Sequence, residues 1–382
     1  MIGKIPNCAT DYRASYWSVK LSKRLADWFQ PLKRDFAKLP AFEAEIGHLR
    51  AWQTNIERIA PKLASRLVWL QAYPPFHRGR PKEAHDWLQN AGRLLGTVQE
   101  EDLELKANLL TDLCTINNVL GDFKESKRCG EQALEIRINL FGEDNSETAM
   151  SFNNLGGTLN RMGKSEEALK YAKKALAIYE NIYGEDHIDT AMALDNIGQS
   201  YRGLNKIKES LAFAERALSI RERVLGRLHP DTAMSFANVG NVCAEIGEHD
   251  RAFQCEEKAL EIVNTLFGSQ SAIKAGVLTS FGLIYYRSGD FKKALDYCAE
   301  AWAMRKELFG DRHPDVLASA IDVAACNFEL GRTHVGFQII DDCTKKTNKD
   351  HQMHEWLKSK KRYFQSHYQR PGFRQVPKRI KL

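Results

Sequence analysis

A 42-residue period runs through most of this 382-residue chain. The tetrapeptides FGED at 141, YGED at 183, LGRL at 225, FGSQ at 267 and FGDR at 309 fall on one grid. NLG at 154, NIG at 196, NVG at 238 and SFG at 280 keep the same step. So do Gly121, Gly163, Gly247, Gly289 and Gly331, with Asn205 in the one gap. Ala133, Ala175, Ala217, Ala259 and Ala301 complete the register, and Gly79 and Ala91 extend it upstream. A fixed step of this length means stacked units, none of which can bury its apolar face alone.

Each unit reads as two helices. In one unit the first helix runs through ETAMSFNNLGGTLNRM, Gly163 and Lys164 make the turn, and SEEALKYAKKALAIYENIY forms the second helix up to Gly184. Ser165 is the expected N-cap, with acids following in the first turn where the helix dipole favours them. Pro230 and Pro314 suit a helix start, where the missing N–H is harmless. Gly156, Gly198, Gly240 and Gly282 each lie inside a first helix. A glycine there costs about 1 kcal/mol relative to alanine. Its recurrence predicts a close approach of the second helix, with Ala168, Ala252 and Ala294 as the matching small residues.

At the residues IGQSY (197–201) and FGLIY (281–285) the chain resembles the tetratricopeptide-repeat family. The small residue thirteen positions after the leucine, such as Ala168, and the alanine seven further on, such as Ala175, match too. The long unit with FGED linkers and HPDTA is similar to the kinesin light chain subclass, over roughly 100–342. Val323-Ala324 and Gly336 depart from the pattern in the last unit, as a solenoid end does. The resemblance implies an all-α, right-handed superhelical solenoid of tetratricopeptide-like helix-turn-helix repeats. The expected domains are an N-terminal helical cap over 1–60, a repeat solenoid over 61–342, a C-terminal capping helix over 343–368 and a basic disordered tail over 369–382. The run from FEAEIGHLRAW to FHRGRPKEAHDWL is also similar to helical arrays that follow the ATPase module of bacterial signal-transduction ATPases.

Charge is uneven. Residues 344–382 hold twelve Lys/Arg against Asp350 and Glu355, whereas the rest of the chain carries 43 basic and 47 acidic residues. The tail mixes base with Tyr363, Phe364, Tyr368 and Phe373, a composition that can contact nucleic acid through phosphate and stacking. PKRIKL also resembles a short basic nuclear-import signal. Eight cysteines, at 8, 114, 129, 243, 255, 298, 326 and 343, form no CxxC pair. They read as free thiols used as small hydrophobes in a reducing, cytoplasmic setting. No run of apolar residues is long enough to span a membrane, and the N-terminus carries no apolar signal region.

The common phosphate-loop, dinucleotide, nucleophile-elbow and zincin motifs are missing. His351, His354 and Cys343 lack an evident fourth ligand, and His187, His229 and His313 read as loop and cap residues. No cofactor, metal or catalytic set is therefore expected. The candidate site is a row instead. In tetratricopeptide repeats the first helix lines the concave face, so the resemblance implies a peptide groove there. One position is held by Asn154, Asn196 and Asn238, with Asp112 and Ser280 at its flanks. Asn153, Asn160, Arg161, Asp195, Gln199, Arg202 and Asn241 lie close by, with Met150, Met192 and Met234 at the edge. An Asn row offers donors and acceptors to the backbone of an extended peptide, and the arginines could pair with carboxylates. The same amides could instead tie neighbouring repeats together. The implied function is a non-enzymatic adaptor or scaffold for a protein or peptide partner. The alternatives are a ligand-sensing module acting with an ATPase or transcription factor, and nucleic-acid binding by the tail.

Overall fold

The computed structural model describes residues 61–77, 81–96, 102–267, 271–347 and 353–368. The expected N-terminal cap over 1–60 and the basic tail over 369–382 lie outside the described residues. Among the described residues the fold is all-α. The chain divides into two units at Glu143/Asp144, inside the stretch expected to form one solenoid.

The first unit holds α1 (Pro61–Leu70), α2 (Tyr73–His77), α3 (Pro81–Leu95), α4 (Leu103–Leu120) and α5 (Phe123–Phe141). Ala64, Leu67, Val68, Leu88, Ala91, Leu105, Leu109 and Cys129 form its core. Asp102 starts α4 by accepting the Leu105 N–H at 3.0 Å, and Gly121 ends it with φ +79°. Asp112 accepts hydrogen bonds from both Trp69 Nε1 and Tyr73 OH, each at 2.6 Å, which fixes the edge-on aromatic pair beside it.

The second unit stacks five hairpins and a final helix: α6 (Ser146–Arg161) with α7 (Ser165–Tyr183), α8 (Ile188–Gly203) with α9 (Ile207–Val224), α10 (Pro230–Ile246) with α11 (His249–Phe267), α12 (Ala272–Ser288) with α13 (Phe291–Phe309), α14 (Pro314–Glu329) with α15 (Thr333–Lys346), then α16 (His354–Tyr368). First helices are capped from the linker. Asn145 Oδ1 accepts the Glu147 N–H, and His187, His229 and His313 accept the N–H groups of Asp189, Asp231 and Asp315 through Nδ1. The recurring histidines are therefore caps at helix starts. Ser165 departs from the expected cap. Lys164 holds that position without a side-chain hydrogen bond, while Ser165 is already helical and buried against Gly203 of the next hairpin. Asn205 takes the left-handed conformation, φ +60°, that glycine supplies in the other hairpin turns, which accounts for the one gap in that series.

The close approach is present, and its tightness varies. A Cβ on Gly156 would lie 3.4 Å from the Ala168 carbonyl oxygen, ordinary contact. A Cβ on Gly240 would lie 3.2 Å from the Ala252 carbonyl oxygen and 2.8 Å from Glu256 Oε1. The first hairpins face an alanine, Ala172 or Ala214, where α11 carries Glu256 and α13 carries Cys298. The glycine is thus indispensable only where the partner side chain outgrows alanine.

The hairpins curve. Arg161, at the end of α6, donates from Nη2 to Asp315 Oδ1 in the first turn of α14 at 2.9 Å. Four hairpin steps at helix-packing distances of about 8–10 Å would separate these side chains by tens of ångströms along a straight stack. Their contact places the first helices on the inner side of the bend.

At the far end α16 covers the last hairpin. Leu357 and Phe364 are fully buried, and Phe328 stacks on Phe364 and Tyr368 with ring centroids 4.5 and 5.1 Å apart. Cys343, expected at the start of the capping segment, belongs to the last turns of α15.

Candidate functional site

The inner face is built by residues spaced i, i+4, i+7 on the first helices, the spacing that puts side chains on one side of a helix. On α6 this row reads Met150, Asn154, Gly157 and Arg161; on α8 Met192, Asn196 and Gln199; on α10 Met234, Asn238, Asn241 and Glu245. On α12 it continues with Ser280 and Arg287, and on α14 with Asp322 and Glu329.

Much of this row is engaged between neighbouring hairpins. Asn153 is buried, and both its carbonyl and its Oδ1 accept from Asn196 Nδ2, at 3.0 and 2.8 Å. Asn160 Nδ2 donates to the Asn196 carbonyl at 2.9 Å, and its Oδ1 accepts from Ser200. Asn238 Nδ2 reaches Asp195 Oδ1 at 3.4 Å, and Asn241 Nδ2 donates to Ser280 Oγ at 2.8 Å. Arg202 Nε donates to Glu245 Oε1 at 2.8 Å, and Arg287 Nη2 reaches the same oxygen at 3.2 Å, so one carboxylate joins three successive hairpins. Tyr286 and Tyr368 do likewise at Glu329 Oε1, at 3.1 and 2.6 Å. Four of these pairs, Asn153–Asn196, Asp195–Asn238, Arg202–Glu245 and Tyr286–Glu329, are 43 residues apart, one step off the sequence period, because the side of a helix that faces the next hairpin is not the side that faces the last.

Other members are left to solvent. Asn154 is half-buried and Gln199 exposed, and neither side chain makes a hydrogen bond among the described residues. Met192 and Met234 are 38% and 48% exposed. The structure thus brings the ten predicted residues into one region but divides them. Asn153, Asn160, Asp195, Arg202, Asn196, Asn238 and Asn241 are bonded to adjacent hairpins. Arg161 crosses the bend, and Asn154 and Gln199 stay open to solvent on the inner face.

Three features escaped the sequence reading. Asp322 occupies the row position 42 residues after Ser280, and burial pushes its carboxyl up to about 7 against the pull of Arg305 and Lys360. Glu256, fully buried on α11, is held well above the usual carboxylate range by desolvation. Arg221 is buried on α9, where its Nη1 donates to both Asp195 Oδ2 and Ser235 Oγ. Burial pushes Asp195 up, opposed by Arg221 and by the Asn238 amide. The signal for the arginines was a doubled period: Arg137, Arg221 and Arg305, with Ser151, Ser235 and Ser319, recur every 84 residues. His354 meets Thr347 Oγ1 at 2.9 Å, and no group of metal-ligating residues occurs among the described residues. No described helix is long and apolar enough to cross a membrane.

One model of the tetratricopeptide repeat matches residues 105–181, 147–223 and 189–265, and a second matches 275–315. The chain belongs to the tetratricopeptide-repeat family. The match spans both units and every hairpin that lines the inner face up to the start of α14. Among solved structures, a Rap protein complexed with Competence and Sporulation Factor is 16% identical, with 93% of this chain and 99% of that one covered and a TM-score of 0.66. The Rap conjugation gene regulator of plasmid pLS20, in complex with the Phr* peptide, is 14% identical over 80% of this chain and 76% of that one, with a TM-score of 0.60. A kinesin light chain repeat structure from Podosopora anserina is 16% identical over 53% of this chain and 97% of that one, with a TM-score of 0.42. No curated protein sequence matches the chain. At these identities the likeness speaks to the tetratricopeptide-repeat fold.

Proposed function

We propose that this tetratricopeptide-repeat chain is a non-catalytic adaptor that holds an extended segment of a protein or peptide partner along the inner face of its second unit. The observation that carries the reading is the set of inner-face side chains left open beside the inter-hairpin bonds. Asn154 and Gln199 offer free amide groups, and Met192 and Met234 offer exposed, adaptable apolar surface next to them. Two proteins of similar fold are found in complexes, one with Competence and Sporulation Factor and one with the Phr* peptide. In this reading Asn153, Asn160, Asp195, Asn196, Arg202, Asn238 and Asn241 hold the hairpins in register, and Arg161 spans the trough.

The test uses the immobilised full chain and a random nonapeptide library. Wild type retains a defined subset of peptides. The Asn154→Ala/Gln199→Ala/Met234→Ala variant loses that retention about tenfold or more, as expected when interface contacts worth 1–2 kcal/mol are removed together, while its thermal midpoint is unchanged. Undiminished retention by the variant would refute the groove assignment.

A further inference from the structure

Three helices of the second unit meet at a buried polar node that holds more acceptors than donors. Glu256, on α11, is fully buried, and neither of its carboxyl oxygens has a hydrogen-bond partner among the described residues. Gly240 of α10 lies directly against it: a Cβ there would stand 2.8 Å from Glu256 Oε1. The next residue, Asn241, donates from Nδ2 to Ser280 Oγ of α12 at 2.8 Å, and Ser280 turns its own proton to the Gly276 carbonyl at 3.3 Å. Asn241 Oδ1 is buried and also lacks a donor. The equivalent positions of the other hairpins in this unit carry Ala172, Ala214, Cys298 and Ile340, so helix crossing does not call for the acid.

Nothing positive offsets a negative charge at this place. Arg251 and Lys258 of α11 and Glu215 of α9 act on the adjacent Cys255, yet none of them acts on Glu256. Asp231, Cys243 and Glu245 of α10 do not act on it, nor do Lys274, Tyr285, Tyr286 and Arg287 of α12 or Tyr297 of α13. Ser280 is the only polar side chain that does among the described residues, and burial outweighs it, holding the carboxyl well above its ordinary value of 4.5. A carboxylate taken out of water without a cation is far costlier than the neutral acid. A protonated carboxyl is also a donor, and a donor is what the node lacks.

We propose that Glu256 is a neutral, hydrogen-bond-donating acid whose proton joins α10, α11 and α12, and that loss of this proton at higher pH loosens the stack between the α10/α11 and α12/α13 hairpins. Its O–H has two acceptors to choose from: Ser280 Oγ, which keeps a lone pair after Asn241, and Asn241 Oδ1. Asn241 and Ser280 both belong to the inner-face row, so a proton with no solvent contact positions two side chains of that face. The joint responds to pH with or without a peptide on the inner face. Its sign follows from the proton count. From 4.5 up to the raised folded value, the folded state holds one proton more than an opened state in which Glu256 meets water. The opening constant therefore rises about tenfold per pH unit through that window and levels off above it.

Opening is read in the full chain from amide hydrogen exchange of α11 and α12, corrected for the intrinsic pH dependence of exchange. Glu256→Gln keeps a donor and cannot ionise. Glu256→Ala repeats the side chain of Ala172 and Ala214 and serves as a second variant without a titrating group. In wild type the opening constant climbs about tenfold per pH unit above about pH 5, and both variants lose that climb. The infrared difference spectrum of wild type minus Glu256→Gln at neutral pH shows the C=O band of a protonated carboxyl. One pH slope shared by wild type and the variants overturns the proposal, as does a carboxylate band in the difference spectrum. A slope that added sodium, potassium or calcium removes from wild type also overturns it, because a bound cation is then the missing partner.

Discussion

The α6/α7 hairpin and the α14/α15 hairpin meet the same steric demand from opposite sides. In α6/α7 the small residue is Gly156 on the first helix, facing Ala168 and Ala172 on the second. In α14/α15 the first helix carries Ala324 at that position, and the glycine is Gly336 on the second helix. A Cβ on Gly336 would lie 2.7 to 2.9 Å from the ring of Phe328. That ring is not a local choice. It stacks on Phe364 and Tyr368 of α16, which closes the end of the stack. The α6/α7 hairpin is shaped by its own partner helix and keeps its inner face open. The terminal hairpin is shaped by the helix that covers it. The last hairpin has no further repeat to cover it, so it must take an apolar cover from elsewhere and make room for it.

Truncating the cover should break this contrast most strongly. Phe364→Ala removes a fully buried ring from the terminal cluster. It should cost about 3–5 kcal/mol, read from chemical denaturation, with the loss confined to amides of α14 to α16 in hydrogen exchange. A cost below about 1 kcal/mol would mean that α16 does not hold the end of the stack.

The glycines give the next effect. Gly336→Ala forces Phe328 off its stack and should destabilise by about 1–3 kcal/mol. Gly156→Ala meets only ordinary contact and should be neutral or stabilising by up to about 1 kcal/mol through helix propensity. Equal effects at the two sites would remove the distinction between them.

Asp322 sharpens the comparison on the polar side, since the central hairpins carry Asn154, Asn196 and Asn238 at its row position. Its folded pKa is raised, to about 7, above an ordinary value of 3.8. The folded state therefore binds more protons than the unfolded state between those values, so its contribution to stability falls as pH rises from about 4 to 7 and stays lost above. Asp322→Asn should match wild type near pH 4 and exceed it by about 1–2 kcal/mol at pH 8, after allowing for solvent screening of a full shift worth 1.4 kcal/mol per unit. A pH-independent difference between the two proteins would contradict this.

Asn196→Ala gives a change of about the same size as Asp322→Asn. It deletes the two bonds from Nδ2 to Asn153, for a cost of about 1–2 kcal/mol in thermal or chemical unfolding. An unchanged midpoint would show that the inter-hairpin bonds of the central repeats contribute nothing to their register.

The repeat architecture was legible in the chain because it depends on local rules. A glycine or Asn205 in the turn after each first helix of the second unit, a small residue at each crossing and a histidine before three of the first helices recur at one step, and the structure places them where that step implies. Asn205 is the instructive case, since it falls where glycine was expected and adopts the left-handed conformation that glycine would. Ser165 shows the limit. A good N-capping residue is instead helical, because the cap falls on the residue directly after the turn glycine, as Asp122 and Asp290 show, and that residue here is Lys164.

The candidate site was legible only as a set of positions. The sequence determined which side chains share the inner faces of the first helices, since helical spacing and a constant period fix that directly. Which of those side chains are already bonded, and which face solvent, was decided by the way neighbouring hairpins rotate against each other. That rotation pairs Asn153 with Asn196 and Arg202 with Glu245 across 43 residues, and it leaves Asn154 and Gln199 unpaired. It also presents Asp195 to Arg221. Hydrogen bonds and ion pairs depend on separations of a few ångströms between residues distant in the chain, and only the stacked structure sets those separations.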